Sequence, residues 1–202
     1  MKGKILLKSI DYFNQNGFER TAIRSLADSL FISHGHLRYY YPTMKNIAET
    51  AISELKIEID SIKVGRSWEQ YNFYEEHHKY FFYLFEIMFK YKFLYLEASF
   101  IKKLIPDFSD YILKQEEDIK KQVLLLVKTF DKMDFTRDSV NNEAIEMSSE
   151  LSSFYCMQWL HSLPVNTNLS TKQIINKNIV KLDWFVNILL NKKGLKYCNI
   201  EN

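Results

Sequence analysis

Between residues 33 and 40 the chain reads Ser-His-Gly-His-Leu-Arg-Tyr-Tyr, a run dense in hydrogen-bonding groups around a single leucine. On a helix, Ile32, Leu37 and Tyr41 form an inward anchor, which leaves His34, Gly35, His36, Arg38 and Tyr39 facing outward. A helix so equipped suits the major groove of a duplex. Arg38 carries the fork that meets guanine O6 and N7 together, and Gly35 lets the backbone approach the groove edge. The hydroxyls of Tyr39, Tyr40, Thr21 and Thr43 and the guanidinium of Arg24 suit phosphate oxygens, which fix register without reading sequence. The alternative for Tyr39-Tyr40-Tyr41 is that the run only fills a core.

Other reactive groups are poorly spaced for chemistry. His77-His78 stand beside Glu75 and Glu76, but adjacent helical residues diverge by about 100° and rarely share one ion, so a solvated face is expected and no metal is assigned. Cys156 and His161 lie five apart, a poor helical spacing for a nucleophile and its base. The sequence has no G-x-S-x-G, P-loop, H-E-x-x-H or Gly-rich dinucleotide loop, which leaves a helical enzyme using His77 or His161 as the weakest alternative. Two cysteines cannot build a disulfide framework; a core thiol and a tail thiol in a reducing cytoplasm are expected.

The elements that must carry the 33–40 run follow from periodicity. Ile5, Leu6, Ser9, Ile10 and Phe13 repeat at helical spacing, and Asn16-Gly17 closes that helix. Thr21 is read as the cap of a short second helix with Ile23, Leu26, Ala27 and Leu30 inward. Ser33 caps a third, closed by Tyr41-Pro42, and the pair has a helix-turn-helix outline. Thr43 caps a fourth helix, with Ile47, Ala48, Ala51, Ile52, Leu55 and Ile59 inward, running to about Val64. Gly65-Arg66-Ser67 punctuates the chain. Further helices are predicted over the aromatic stretch 71–100, then over 108–130, 143–163 and 171–191, with a break at Pro106. Five glycines and three prolines in 202 residues favour such long helices over a turn-rich β architecture.

Charge is uneven. Residues 1–47 hold seven Lys or Arg against three acidic side chains, a net +4, whereas the other 155 residues hold 20 against 22, a net −2. A basic head on a slightly acidic body implies an anionic partner for the head. The N-terminal MKGKILLKSIDYF is too charged for a signal peptide, and no stretch is long and apolar enough to span a bilayer, so a cytoplasmic protein without membrane contact is expected.

Residues 17–47, GFERTAIRSLADSLFISHGHLRYYYPTMKNI, resemble the DNA-binding head of the TetR family of bacterial repressors. The family pattern runs roughly G-F-x-x-T-x-I-R-x-I-A, then V-S-K-G-T-L-Y-Y-H-F, then S-K-E-E-L. Gly17, Phe18, Thr21, Ile23, Arg24, Leu26 and Ala27 match its first part, Ser33, Gly35, Leu37, Tyr39 and Tyr41 its second, and Ile47 its third. Phe31 stands where the family has a turn glycine, His34 and His36 replace Lys and Thr, Arg38 replaces Tyr, and Met44 replaces Lys. More loosely, residues 89–119 resemble a C-terminal ligand domain of some TetR-like regulators.

The resemblance implies an all-α protein: a three-helix helix-turn-helix head over 1–47, a connecting helix over 48–65, and a ligand-binding and dimerisation domain over 66–202. It implies a repressor on a palindromic operator in double-stranded DNA, released by a small-molecule effector, with no cofactor. The DNA-facing set is then Thr21, Arg24, Ser33, His34, Gly35, His36, Arg38, Tyr39, Tyr40, Thr43 and Lys45.

Residues 71–100 contain 13 Phe or Tyr, and six tyrosines are more than a dry core prefers. Some should line an effector cavity, with Phe81, Phe85, Phe89, Tyr95, Phe108 and Trp159 as candidates and an apolar or aromatic ligand favoured. The last two long helices carry wide apolar stripes. In the family such helices build a four-helix homodimer interface, for which Met147, Leu151, Phe154, Ile175, Ile179, Leu182, Phe185 and Leu189 are the candidates. A helical small-molecule-binding protein without DNA binding is the principal alternative.

Overall fold

A computed structural model describes residues 1–63, 73–164 and 168–199. Among these residues the chain is all-α, with one isolated antiparallel bridge, Thr136 to Leu190, and no strand. It divides into two compact units, residues 1–64 with 87–111, and residues 65–86 with 112–202. The punctuation at Gly65-Arg66-Ser67, and Tyr71, lie outside the described residues.

The first unit opens with α1 (Lys2–Asn16), whose buried Ile5, Leu6, Ser9, Ile10 and Phe13 are the stripe read from the sequence. Gly17 ends it with φ 83°, and its N–H donates to Phe13 O at 2.9 Å. The short helices α2 (Ile23–Ser29) and α3 (His34–Tyr40) follow, packed on each other, and α4 (Met44–Ser61) packs back on α1. Leu26, Ala27, Leu30, Leu37 and Tyr41 are buried between them. Thr21 does not cap α2, contrary to the expectation. The helix starts after Ala22 without a side-chain cap, and the Thr21 hydroxyl donates to Gly17 O at 2.5 Å.

α5 (Phe73–Lys90) gives its last residues to this unit. The chain then breaks at Tyr91 and again at Glu97, forming the short helices α6 (Lys92–Leu96) and α7 (Ala98–Leu104). Phe13, Phe18, Phe93 and Phe100 meet ring to ring at 4.9–6.1 Å, so part of the aromatic stretch serves as core for the head.

α8 (Asp107–Lys132) starts just after Pro106 and supplies most of its length to the second unit. There α9 (Asn142–Gln158) and α10 (Thr171–Asn187) pack together. Four buried serines on α9 allow close approach, and Ser148 Oγ donates to Phe185 O at 2.8 Å. α9 is shorter than the predicted 143–163 because residues 159–162 tighten into a 3₁₀ turn. A final helix, α11 (Lys192–Tyr197), is absent from the sequence expectation. Asn191 caps it, and Gly194 is required, since a Cβ there would sit 2.6 Å from Phe135 O.

Candidate nucleic-acid interface

The groups on α2, α3 and the start of α4 separate into those the fold consumes and those it leaves available. Ser33 Oγ accepts from His36 N at 3.1 Å and so fixes the first turn of α3. Thr43 closes a capping box on α4, accepting from Asn46 N at 3.2 Å and donating to Asn46 Oδ1 at 2.8 Å. With Thr21 held by Gly17 O, both threonine hydroxyls expected at phosphates already have structural work, as does that of Ser33. The first two amides of α4, those of Met44 and Lys45, have no intrahelical acceptor and emerge at the positive end of an 18-residue helix, a site suited to an anion. Lys45 stands beside them, 3.8 Å from Glu49, and Met44 is half-buried.

The outer face of α3 is open. Gly35, His36, Arg38 and Tyr39 are exposed, as is Arg24 on α2, whereas His34 and Tyr40 are half-buried. Tyr39 and His36 each meet the Tyr40 ring edge-on, at 5.1 and 5.3 Å. Arg38 Nε donates to Pro42 O at 3.3 Å, which orients the guanidinium and leaves its two terminal nitrogens for a bidentate contact. Inside, Leu37 and Tyr41 are buried as expected, and Ile32 is half-buried.

Gly35 has neither a left-handed φ nor any heavy atom within 4 Å of where a Cβ would stand. Glycine in a helix costs about 1 kcal/mol against alanine, and no close neighbour among the described residues accounts for it. The turn before α3 has the opposite character. Phe31 adopts φ 56°, the left-handed geometry of the glycine found there in the TetR pattern, and it is 95% exposed, so it does not pack on α1.

The candidate ligand residues divide between the two units, with Phe89, Tyr95 and Phe108 in the first and Phe81, Phe85 and Trp159 in the second. All but the half-buried Phe89 are buried. Phe85 and Trp159 stack at 4.6 Å with ring planes 7° apart. A surface cleft of about 390 Å³ on the second unit is lined by none of the six; Tyr74, His78, Tyr197 and Cys198 form its walls. The neighbouring Asp183, 3.7 Å from His78 Nε2, has its carboxyl pushed up to about 7 by burial, against the pull of a hydrogen bond from Tyr74. His77 is buried, a correction to the solvated face expected for it. Both thiols are buried too, and burial pushes Cys198 up to about 12 and Cys156 well above its ordinary value, which suits neither to nucleophilic work.

Of the eight candidate dimer residues, Met147, Leu151 and Phe154 are exposed on α9 and Phe185 is half-buried. Ile175, Ile179, Leu182 and Leu189 are corrected: they are buried within their own chain and leave no surface for another. α10 is apolar on two sides, and these four residues lie on the inner one. Its exposed stripe is Val180, Trp184 and Ile188.

No protein-family model matches the sequence, and no curated protein matches it. Solved structures do. A TetR-family transcriptional regulator from Marinobacter aquaeolei VT8 superposes with a TM-score of 0.80 at 16% identity, covering 98% of this chain and 95% of that one. A ketosteroid transcriptional regulator of Mycobacterium tuberculosis gives 0.65 at 15%, covering 95% of each chain. The TetR-family regulator PfmR from Thermus thermophilus gives 0.65 at 13%, covering 91% of this chain and 97% of that one. The all-α architecture, a helix-turn-helix head followed by a larger helical part, is therefore the fold of the TetR-family transcriptional regulators.

Proposed function

We propose that the chain is a sequence-specific DNA-binding transcriptional regulator, with residues 1–47 as the DNA-binding part, 48–65 as connecting helix and 66–202 for effector binding and dimerisation. The observation that carries this reading is the outer face of α3, where a glycine that the fold does not need stands among His36, Arg38 and Tyr39. A backbone open at that point can approach a groove edge, with Arg38 supplying the base contact. Arg24, Tyr39, Tyr40, Lys45 and the free amides of α4 are suited to the flanking phosphates. Ser33 and Thr43 act on DNA through the helix ends they cap.

The likeness to transcriptional regulators supports a non-enzymatic role, and among the described residues no helix is long and apolar enough to cross a membrane. A homodimer through α9 and α10 would present two heads to a palindromic site, and a small apolar or aromatic effector would release it as a repressor.

Gly35→Ala tests the reading. The substitution should raise the melting temperature, because alanine is worth about 1 kcal/mol more in a helix, and yet weaken binding to duplex DNA. A variant that is both more stable and equally tight on DNA removes α3 as the reading element.

A further inference from the structure

The α1–α2 turn owes its shape to a residue 79 positions away. Glu97, at the break between α6 and α7, accepts from Phe18 N at 2.7 Å through Oε1 and from Glu19 N at 2.7 Å through Oε2. Among the described residues no lysine, arginine or histidine pairs with this carboxylate, whose charge is met by two consecutive main-chain amides. Such an arrangement is the anion-binding concavity of a turn, filled here by the chain's own side chain. Gly17 fits it twice over. Its φ is 83°, and a Cβ there would lie 3.2 Å from Glu97 Oε1.

The carbonyls of the same turn face the other way. Gly17 O accepts from the Thr21 hydroxyl and Phe18 O from Thr21 N, so residues 17–21 form a closed unit that ends where α2 begins. Two further links fasten the 90–97 segment to the head. Asn14 donates to Lys90 O at 2.7 Å and accepts from Phe93 N at 3.0 Å, while Lys90 Nζ and Tyr91 OH both donate to Glu58 Oε1 on α4, at 2.6 and 2.7 Å. Besides the packing of the Phe18 ring on Phe93 and Phe100, only the Glu97 carboxylate among these contacts bears on the turn that launches α2, the helix on which α3 packs.

We propose that Glu97 is a positioning residue for DNA binding. It touches no DNA itself, and by holding the amides of Phe18 and Glu19 it sets the entry of α2 and with it the placement of Arg24 and of α3 against the duplex. This rests on the DNA-binding reading above.

The test uses the full chain and two substitutions, Glu97→Ala and the isosteric Glu97→Gln, which keeps one acceptor oxygen and turns an amide donor toward the second N–H. Binding is titrated at several salt concentrations on the duplex that wild type enriches from a random pool. Amide hydrogen exchange is followed in the same proteins.

Both variants should bind at least tenfold more weakly at every salt concentration with an unchanged slope of log affinity against log salt, because no phosphate contact is lost. Exchange should quicken at Phe18 and Glu19 while Leu37 and Tyr41 stay protected. A loss of stability alone would leave the affinity of the folded fraction at the wild-type value, and that result overturns the proposal, as does a changed salt slope. Should Glu97→Ala not fold, Glu97→Gln decides. If wild type enriches no duplex, the DNA-binding reading fails and takes the proposal with it. If wild type binds DNA but exchange at Phe18 and Glu19 is unmoved in the variants, the proposal alone fails.

Discussion

Trp184→Ala should break the proposed dimer. The side chain is 60% exposed on α10, between Val180 and Ile188 in one apolar stripe, and α10 packs on α9, which exposes Met147, Leu151 and Phe154. A tryptophan offers up to about 250 Å² for burial, so about 150 Å² per chain awaits a partner here. At about 25 cal/mol per Å² that area is worth about 4 kcal/mol, counted twice across a two-fold axis. Alanine retains part of the contact and association never returns the full area value, so a loss of about 3 kcal/mol is a conservative expectation, on the order of 100-fold in the dimer dissociation constant. Sedimentation velocity over a dilution series reads it directly. Circular dichroism should show an unchanged helical content, because most of the Trp184 side chain lies outside the chain's own core. A variant that stays dimeric to the same dilution as wild type, or a monomeric wild type, refutes the assignment of this face.

Three other outcomes follow from the same geometry. Arg38→Ala should cost roughly 1–3 kcal/mol at one symmetric pair of base positions and relax preference there, as binding to a panel of single-base operator variants would show; an unchanged profile takes Arg38 out of the reading set. Met44→Lys places an ammonium beside the free amides of α4, and for one added phosphate contact per chain the salt dependence should steepen by about 0.9 per chain, nearly 2 per dimer, on related and unrelated duplexes alike. An unchanged slope denies a phosphate at that helix end. Burial holds the Asp183 carboxyl at about 7, so the folded protein keeps its proton more tightly than the unfolded chain, and stability falls as pH rises from about 4 to about 7. Asp183→Asn removes that titration, and its stability advantage over wild type should grow across the window toward about 4 kcal/mol; a difference that is flat from pH 4 to 8 contradicts the environment described for it.

The head was legible because its signals are local. The stripe on α1, the Gly17 cap and the Ser33 and Thr43 caps each act within four residues, and each appears where its side chain chemistry puts it. What stayed hidden depends on the third dimension. α10 is apolar on both an inner and an outer face, so periodicity alone could not tell Ile175 and Ile179, which are core, from Val180 and Trp184, which are surface. α11 carries a glycine in its middle and three lysines, a poor helical signature, and exists because Gly194 fits against Phe135 O under the Asn191 cap. Nothing near Glu97 in sequence announces its two amide partners 79 and 78 residues back. His77 escapes sequence reasoning for a related reason: a pair of adjacent histidines among glutamates suggests solvent, yet a helix turns one of two neighbours inward.

That α3 reads DNA as part of a symmetric pair is decided by selection of bound duplexes from a random pool with the wild-type protein. The enriched sequences should converge on a two-fold symmetric motif whose half-sites lie about one helical turn, or a multiple of it, apart, with a guanine at the position that Arg38→Ala relaxes. A pool that remains unenriched after repeated rounds, or one enriched in a motif that Arg38→Ala and Gly35→Ala bind as wild type does, contradicts it.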